Sequence, residues 1–160
     1  MERGTTLFLK ATLILLGIPI LALCIFLVPQ IADYAVELYP GHGYLRVLIY
    51  IDLYASAIPF YLALFQSFRL LSYIDKNVAF SDLSVRSLKN IKSCAIACSI
   101  IFVLGMPLFY LFAERDDSPG VIVVGMLLIF ASLVIAFFAA VLQRLLQEAI
   151  DIKSENDLTV

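Results

Sequence analysis

The chain has 160 residues, of which 62% are hydrophobic and 15% charged, with a mean hydropathy of +1.00 and a formal net charge of −2. Ordinary globular chains are nearer half apolar and a quarter charged, so this composition excludes a soluble globular domain. No basic excess is present to support direct nucleic-acid binding.

The charges are missing from whole blocks. Residues 11–32, 53–68, 93–113 and 118–143 contain no Asp, Glu, Lys or Arg. Crossing about 30 Å of hydrocarbon takes roughly 20 helical residues, so these blocks predict four transmembrane helices. The second reaches spanning length only when residues 47–52 join it.

The first helix is expected from near Leu7 to about Val28, with Lys10 at its entry and Pro19 in mid-span. A bilayer tolerates such a proline where neighbouring groups satisfy the freed carbonyl. The segment is read as a retained helix, because no small-x-small site followed by a soluble domain comes after it. Gln30 to Arg46 reads as a connector, with Asp33, Glu37 and the single histidine, His42, in a Pro-Gly-His-Gly turn. Tyr34, Tyr39, Tyr44, Tyr50 and Tyr54 surround it as an interfacial belt would.

The second helix is expected over about Val47 to Phe68 and carries Asp52 and Pro59. The 69–92 linker follows, with five of the eleven Lys+Arg residues. Its latter part reads as a helix capped by Ser81 or Ser84 that runs into the third span. Arg86, Lys89 and Lys92 recur along one side of it and are candidate headgroup contacts. The third span holds Pro107, a tight acidic loop leads into the fourth, and Leu142, Leu145, Leu146, Ala149 and Ile150 keep helical spacing beyond it. Residues 1–10, 69–92 and 144–160 hold nine Lys+Arg, against two in 29–46 and 114–117. The positive-inside rule therefore predicts both termini in the cytoplasm.

An internal repeat is suggested by matches in the same order. Leu16-Gly17-Ile18-Pro19 pairs with Leu104-Gly105-Met106-Pro107, and Gln66-Ser67-Phe68-Arg69-Leu70-Leu71 with Gln143-Arg144-Leu145-Leu146. Ser81-Asp82-Leu83-Ser84-Val85 pairs with the terminal Asn156-Asp157-Leu158-Thr159-Val160. The expected fold is an all-α integral membrane protein of one domain, 1–160, built as two parallel helical hairpins, 7–85 and 86–160.

Asp52 is the only ionisable side chain inside an expected span, and intramembrane acids are functional hypotheses by default. With Ser56 one turn on and Pro59 beyond, it could form a polar notch for a proton, a cation or a polar ligand. The plainer alternative is an acid facing the interface near a helix N-terminus, which favours negative charge. His42 lacks the second histidine a metal site would need. Cys94 and Cys98 share a helix face, with Cys24 able to approach, and read as small packing residues. Ser132, Ala136 and Ala140 form a small-residue stripe that permits close contact with a helix of this chain or of a second subunit. No nucleophile–base pair, glycine-rich phosphate loop or metal-ligand set occurs, so neither enzymatic activity nor a cofactor is expected.

Ser72-Tyr73-Ile74-Asp75-Lys76-Asn77 with Ala79-Phe80-Ser81, the Leu88-Lys89-Asn90-Ile91-Lys92 run, and the terminal Glu155-Asn156-Asp157-Leu158-Thr159-Val160 carry a resemblance. With Gly105-Met106-Pro107 and Pro119-Gly120, they make the chain resemble the YoaS-like bacterial membrane proteins of domain-of-unknown-function family 2975. The resemblance spans nearly the whole chain and implies a multi-pass protein of the bacterial cell membrane. Members often occur beside a small helix-turn-helix regulator of the Cro type, which implies a membrane anchor or inhibitor of that regulator.

Two functions are expected from this. One is a non-enzymatic regulatory or scaffold protein that binds a cytoplasmic partner through the linker and tail, with Asp82, Leu83, Val85, Asn156, Asp157, Leu158 and Val160 as candidate contacts. The other is a small homo-oligomeric transporter or channel subunit with Asp52 as its intramembrane acid.

Overall fold

The structure, a computed structural model, describes residues 3–158. It consists of four helices: α1 (Arg3–Leu38), α2 (Tyr44–Asp75), α3 (Asp82–Asp116) and α4 (Gly120–Leu158). Each is long and apolar enough to cross a membrane. At a rise of about 1.5 Å per residue, α1 with 36 residues measures about 54 Å, well beyond the roughly 30 Å of bilayer hydrocarbon. The helices therefore project past the apolar layer.

Successive helices run antiparallel. Lys10 near the start of α1 pairs with Asp75 at the end of α2, at 3.2 Å, and Gly125 early in α4 meets Met106 and Phe109 late in α3. The start of α1, the end of α4 and the 76–81 turn thus share one end of the molecule, here the terminal end. The 39–43 and 117–119 turns share the other, the far end.

The helices are longer, and the turns shorter, than the apolar blocks suggest. The expected connector from Gln30 to Arg46 is mostly helix, and only residues 39–43 turn. The physical reason lies in burial: Val28, Ala32 and Ala35 fall on one face at helical spacing and all three are buried, Ala32 and Ala35 in a cluster with Ile49 of α2. Asp33 and Glu37 point outward from the same turns.

At the start of α3, Ser81 is the N-cap in extended backbone, as expected, and its carbonyl accepts from the amides of Ser84 and Val85. Its side chain makes no capping bond to the helix; Asp82 in the first turn favours the helix dipole instead. The ends of α2 and α3 close alike. Asn77 (φ 60°) and Asp117 (φ 52°) take the left-handed conformation. The next amides, Val78 and Ser118, then reach back to the carbonyls of Tyr73 and Ala113 at 2.9 Å each. Asn and Asp tolerate this conformation better than other side chains with a Cβ.

The bundle is open. α2 packs on α1 and α3, α4 packs on α3, and α1 touches α3 lightly, while α4 meets neither α1 nor α2. α3 is thus the central strut. Its buried residues are mostly small or hydroxylated: Ser84, Ser87, Ala95, Cys98, Ser99, Gly105 and Ala113, with Leu88. Large side chains such as Leu15, Phe26 and Leu104 point outward. This is the membrane arrangement, in which small residues let backbones approach and lipid covers the rest.

Candidate functional site

The strongest polar feature within the apolar layer is Asp52. It projects from α2 toward α3 and is partly buried. Opposite it lies Gly105, buried, whose missing side chain is what makes room: a Cβ there would overlap both carboxylate oxygens of Asp52. No other residue type would leave that space. Among the described residues, no hydrogen-bond or ion-pair partner reaches the carboxylate. Asp52 also lines a cavity of about 240 Å³ to which all four helices contribute. Ile31 comes from α1, Ile49 and Leu53 from α2, Leu108, Phe109 and Phe112 from α3, and Val121 and Val124 from α4. Among the described residues, the carboxylate is the only charged group in its wall.

Ser56 does not join Asp52 in a notch. It is buried one turn away, but its hydroxyl donates back to the Leu53 carbonyl of its own helix at 2.8 Å. The Ser56 carbonyl in turn accepts from the Cys98 thiol of α3 at 3.4 Å. Cys24 of α1 lies beside Tyr54 and Tyr61, on a different flank of α2 from Cys98. All three cysteines are free thiols. No group of acids, histidines and cysteines able to hold a metal occurs among the described residues.

The two matched glycines both serve α2. Gly17 faces Leu64 and Tyr61, and the Tyr61 hydroxyl donates to the Gly17 carbonyl at 2.9 Å. Gly105 faces Asp52. The Leu-Gly-x-Pro motif and Asp52 each stand out in the sequence, but nothing in their spacing joins them.

At the far end, tyrosines bind helices together. The Tyr34 hydroxyl bonds to the Asp116 carboxylate, and the Tyr39 hydroxyl donates to the Leu111 carbonyl at 2.7 Å. Arg46 pairs with Asp33 across the 39–43 turn. His42 sits between the rings of Tyr39 and Tyr44, edge-on to both. In α4, Ala136 and Ala139 are buried, and α3 is the only helix α4 meets. Of the small-residue stripe, Ala136 is buried, while Ser132 and Ala140 are half-buried.

At the terminal end, the expected partner contacts fall in two settings. Asp82 and Leu83 are exposed and Val85 is half-buried in the first turns of α3, with Ser84 between them fully buried. Asn156, Asp157 and Leu158 form the exposed last turn of α4; Thr159 and Val160 lie outside the described residues. One copy of the motif starts a helix and the other ends one. Arg86 and Lys89 are exposed and Lys92 half-buried along the first turns of α3.

A family model described as "Protein of unknown function (DUF2975)" matches residues 30–160. A curated protein of Bacillus subtilis (strain 168), described as "Uncharacterized membrane protein YoaS", is 67% identical over 160 residues, covering 100% of both chains. No solved structure matches the chain.

Proposed function

The chain belongs to the DUF2975 family, and from that premise we propose that it is a non-enzymatic membrane protein whose terminal end faces the cytoplasm and binds a regulatory partner there. The basic residues of the 69–92 segment support the orientation. One observation carries the partner reading. α4 continues as helix well beyond its uncharged run, and from Asp151 to Leu158 every residue is exposed, with Ile152 66% and Leu158 83% accessible. A helix end that leaves the apolar layer and keeps apolar side chains such as these exposed suits a docking element. The partner class is a small cytoplasmic helix-turn-helix regulator. The test is a photo-crosslinking residue at Leu158 in native membranes, beside a second at Ile152. A specific crosslink from Ile152 that is lost on deletion of residues 154–160 supports the reading, and an equal pattern without them removes it.

A second reading is favoured by the carboxylate of Asp52, which has no partner among the described residues, in its cavity. In it the chain is a subunit of a small homo-oligomeric transporter, with Asp52 carrying the charge-selective step. An Asp52→Asn variant that is expressed normally and leaves cation uptake into vesicles unchanged counts against it.

A further inference from the structure

We propose that the cavity beside Asp52 is a binding site for a lipophilic monocation, an alkylammonium with an apolar body. The inference deepens the second reading of the same carboxylate but needs no transport to be true.

Three observations carry it. First, a charged group in an apolar wall is costly unless something compensates it, and no donor or cation of the described residues does so for Asp52. The compensation has to come from outside the chain, as a bound proton or as a bound cation, and the rest of the wall decides which cations fit. Second, the remaining wall is aliphatic or aromatic, with Leu53, Leu108 and Val124 beside the rings of Phe109 and Phe112. It offers no hydrogen-bonding side chain besides the carboxylate, so a strongly hydrated metal ion would lose its water shell for one ligand. An alkylammonium has a weak shell to lose, buries its carbon atoms against the aliphatic wall, and is attracted to ring faces. Third, the backbone of α4 packs against neither α1 nor α2, although side chains of all three line the cavity, so no close helix–helix packing seals it on that side. An apolar cation partitioned into the bilayer can enter without any helix separating from its neighbour.

Gly105 fits the same picture. By omitting a side chain it lets the carboxylate lie flat against α3, leaving the rest of the cavity for the body of the ligand. Any side chain at this position would push the carboxylate into the space that the ligand needs.

The experiment is equilibrium dialysis of radiolabelled tetraethylammonium against the full chain in dodecyl maltoside, with N,N-diethylacetamide as the uncharged control. Saturable binding of tetraethylammonium alone is expected. Asp52→Asn should weaken it roughly tenfold to a hundredfold, between the small loss at an exposed charge pair and the large loss at a fully buried one. Val124→Phe, which fills the cavity and keeps the carboxylate, should abolish it. The absence of saturable binding in the unaltered chain, or equal binding in Asp52→Asn, overturns the proposal. Should Asp52→Asn not fold, unchanged binding in Val124→Phe overturns it alone. The ammonium could be free or belong to a lipid headgroup. Repeating the titration in nanodiscs of phosphatidylglycerol, with and without phosphatidylethanolamine, separates these: competition by the second lipid assigns the site to a headgroup, and its absence to a free amine. Binding without vesicle uptake leaves this inference standing and removes only the transport reading.

Discussion

Arg115 of α3 stands over the ring of Tyr39, 4.9 Å from its centroid, while its Nε donates to the Leu38 carbonyl at 3.2 Å. Tyr39 returns the contact through its hydroxyl on Leu111, so the far ends of α1 and α3 hold each other in both directions. Lysine keeps the charge but has no planar fork and no Nε. Arg115→Lys is expected to lower unfolding stability in detergent by about 0.5–1 kcal/mol, the scale of one exposed cation–π contact. Combined with Tyr39→Phe, it should cost less than the sum of the two changes.

Gly105→Ala is expected to destabilise by about 1–3 kcal/mol, the cost of forcing a methyl into a packed contact. Because the obstructing atoms are those of the Asp52 carboxylate, the double variant Gly105→Ala with Asp52→Ala should recover most of that loss. Thermal unfolding midpoints of the four proteins in the cycle measure the coupling. Independent additive effects would show that the alanine is harmful for some other reason.

The Lys10–Asp75 pair ties the entry of α1 to the exit of α2, with about a quarter of each side chain exposed. A double-mutant cycle with Lys10→Gln and Asp75→Asn should give a coupling of roughly 0.2–1 kcal/mol, smaller at high salt because exposed pairs are screened.

Single cysteines introduced in a background without Cys24, Cys94 and Cys98 test which side each end faces. His42→Cys and Ser118→Cys, in the two far-end turns, should react with a membrane-impermeant maleimide in intact spheroplasts. Asn77→Cys and Leu158→Cys should react only after permeabilisation. The reverse pattern would invert the proposed topology and move the α4 extension out of the cytoplasm.

Deleting residues 151–160 removes no buried residue of the described helix, since all of 151–158 are exposed. The stability of the shortened chain should therefore stay within about 0.5 kcal/mol of the full one, as for surface changes away from structural features. A larger loss in detergent unfolding would mean that the extension braces the bundle.

Four spans, their order and a helix start at Ser81 or Ser84 were legible in the sequence because each rests on a local property: a run without charge, or a candidate capping residue before an apolar stretch. Helix ends were less legible. A bilayer limits how many residues must be apolar but sets no limit on how long a helix runs, so α1 passes Gln30, Asp33 and Glu37 without breaking. The spacing of Val28, Ala32 and Ala35 held that information. The meeting of Asp52 with Gly105 was out of reach for a different reason. Which face of one membrane helix meets which face of the next depends on helix rotation. An apolar side chain suits a lipid tail as well as a neighbouring helix, so its position along the chain does not say which of the two it faces. The similarity of the 81–85 and 156–160 segments was plain in letters, yet one begins α3 and the other includes the last turn of α4.

Because every helix packs mainly on the one made just before it, the protein can be assembled in the order of its synthesis. α2 enters the membrane beside a partner already present, α3 docks on that pair, and α4 needs only α3. No contact waits for the last helix to close a ring. A chain halted after residue 119 would already hold every packing interaction among its first three helices, and the one interface left open would be the face of α3 that receives α4.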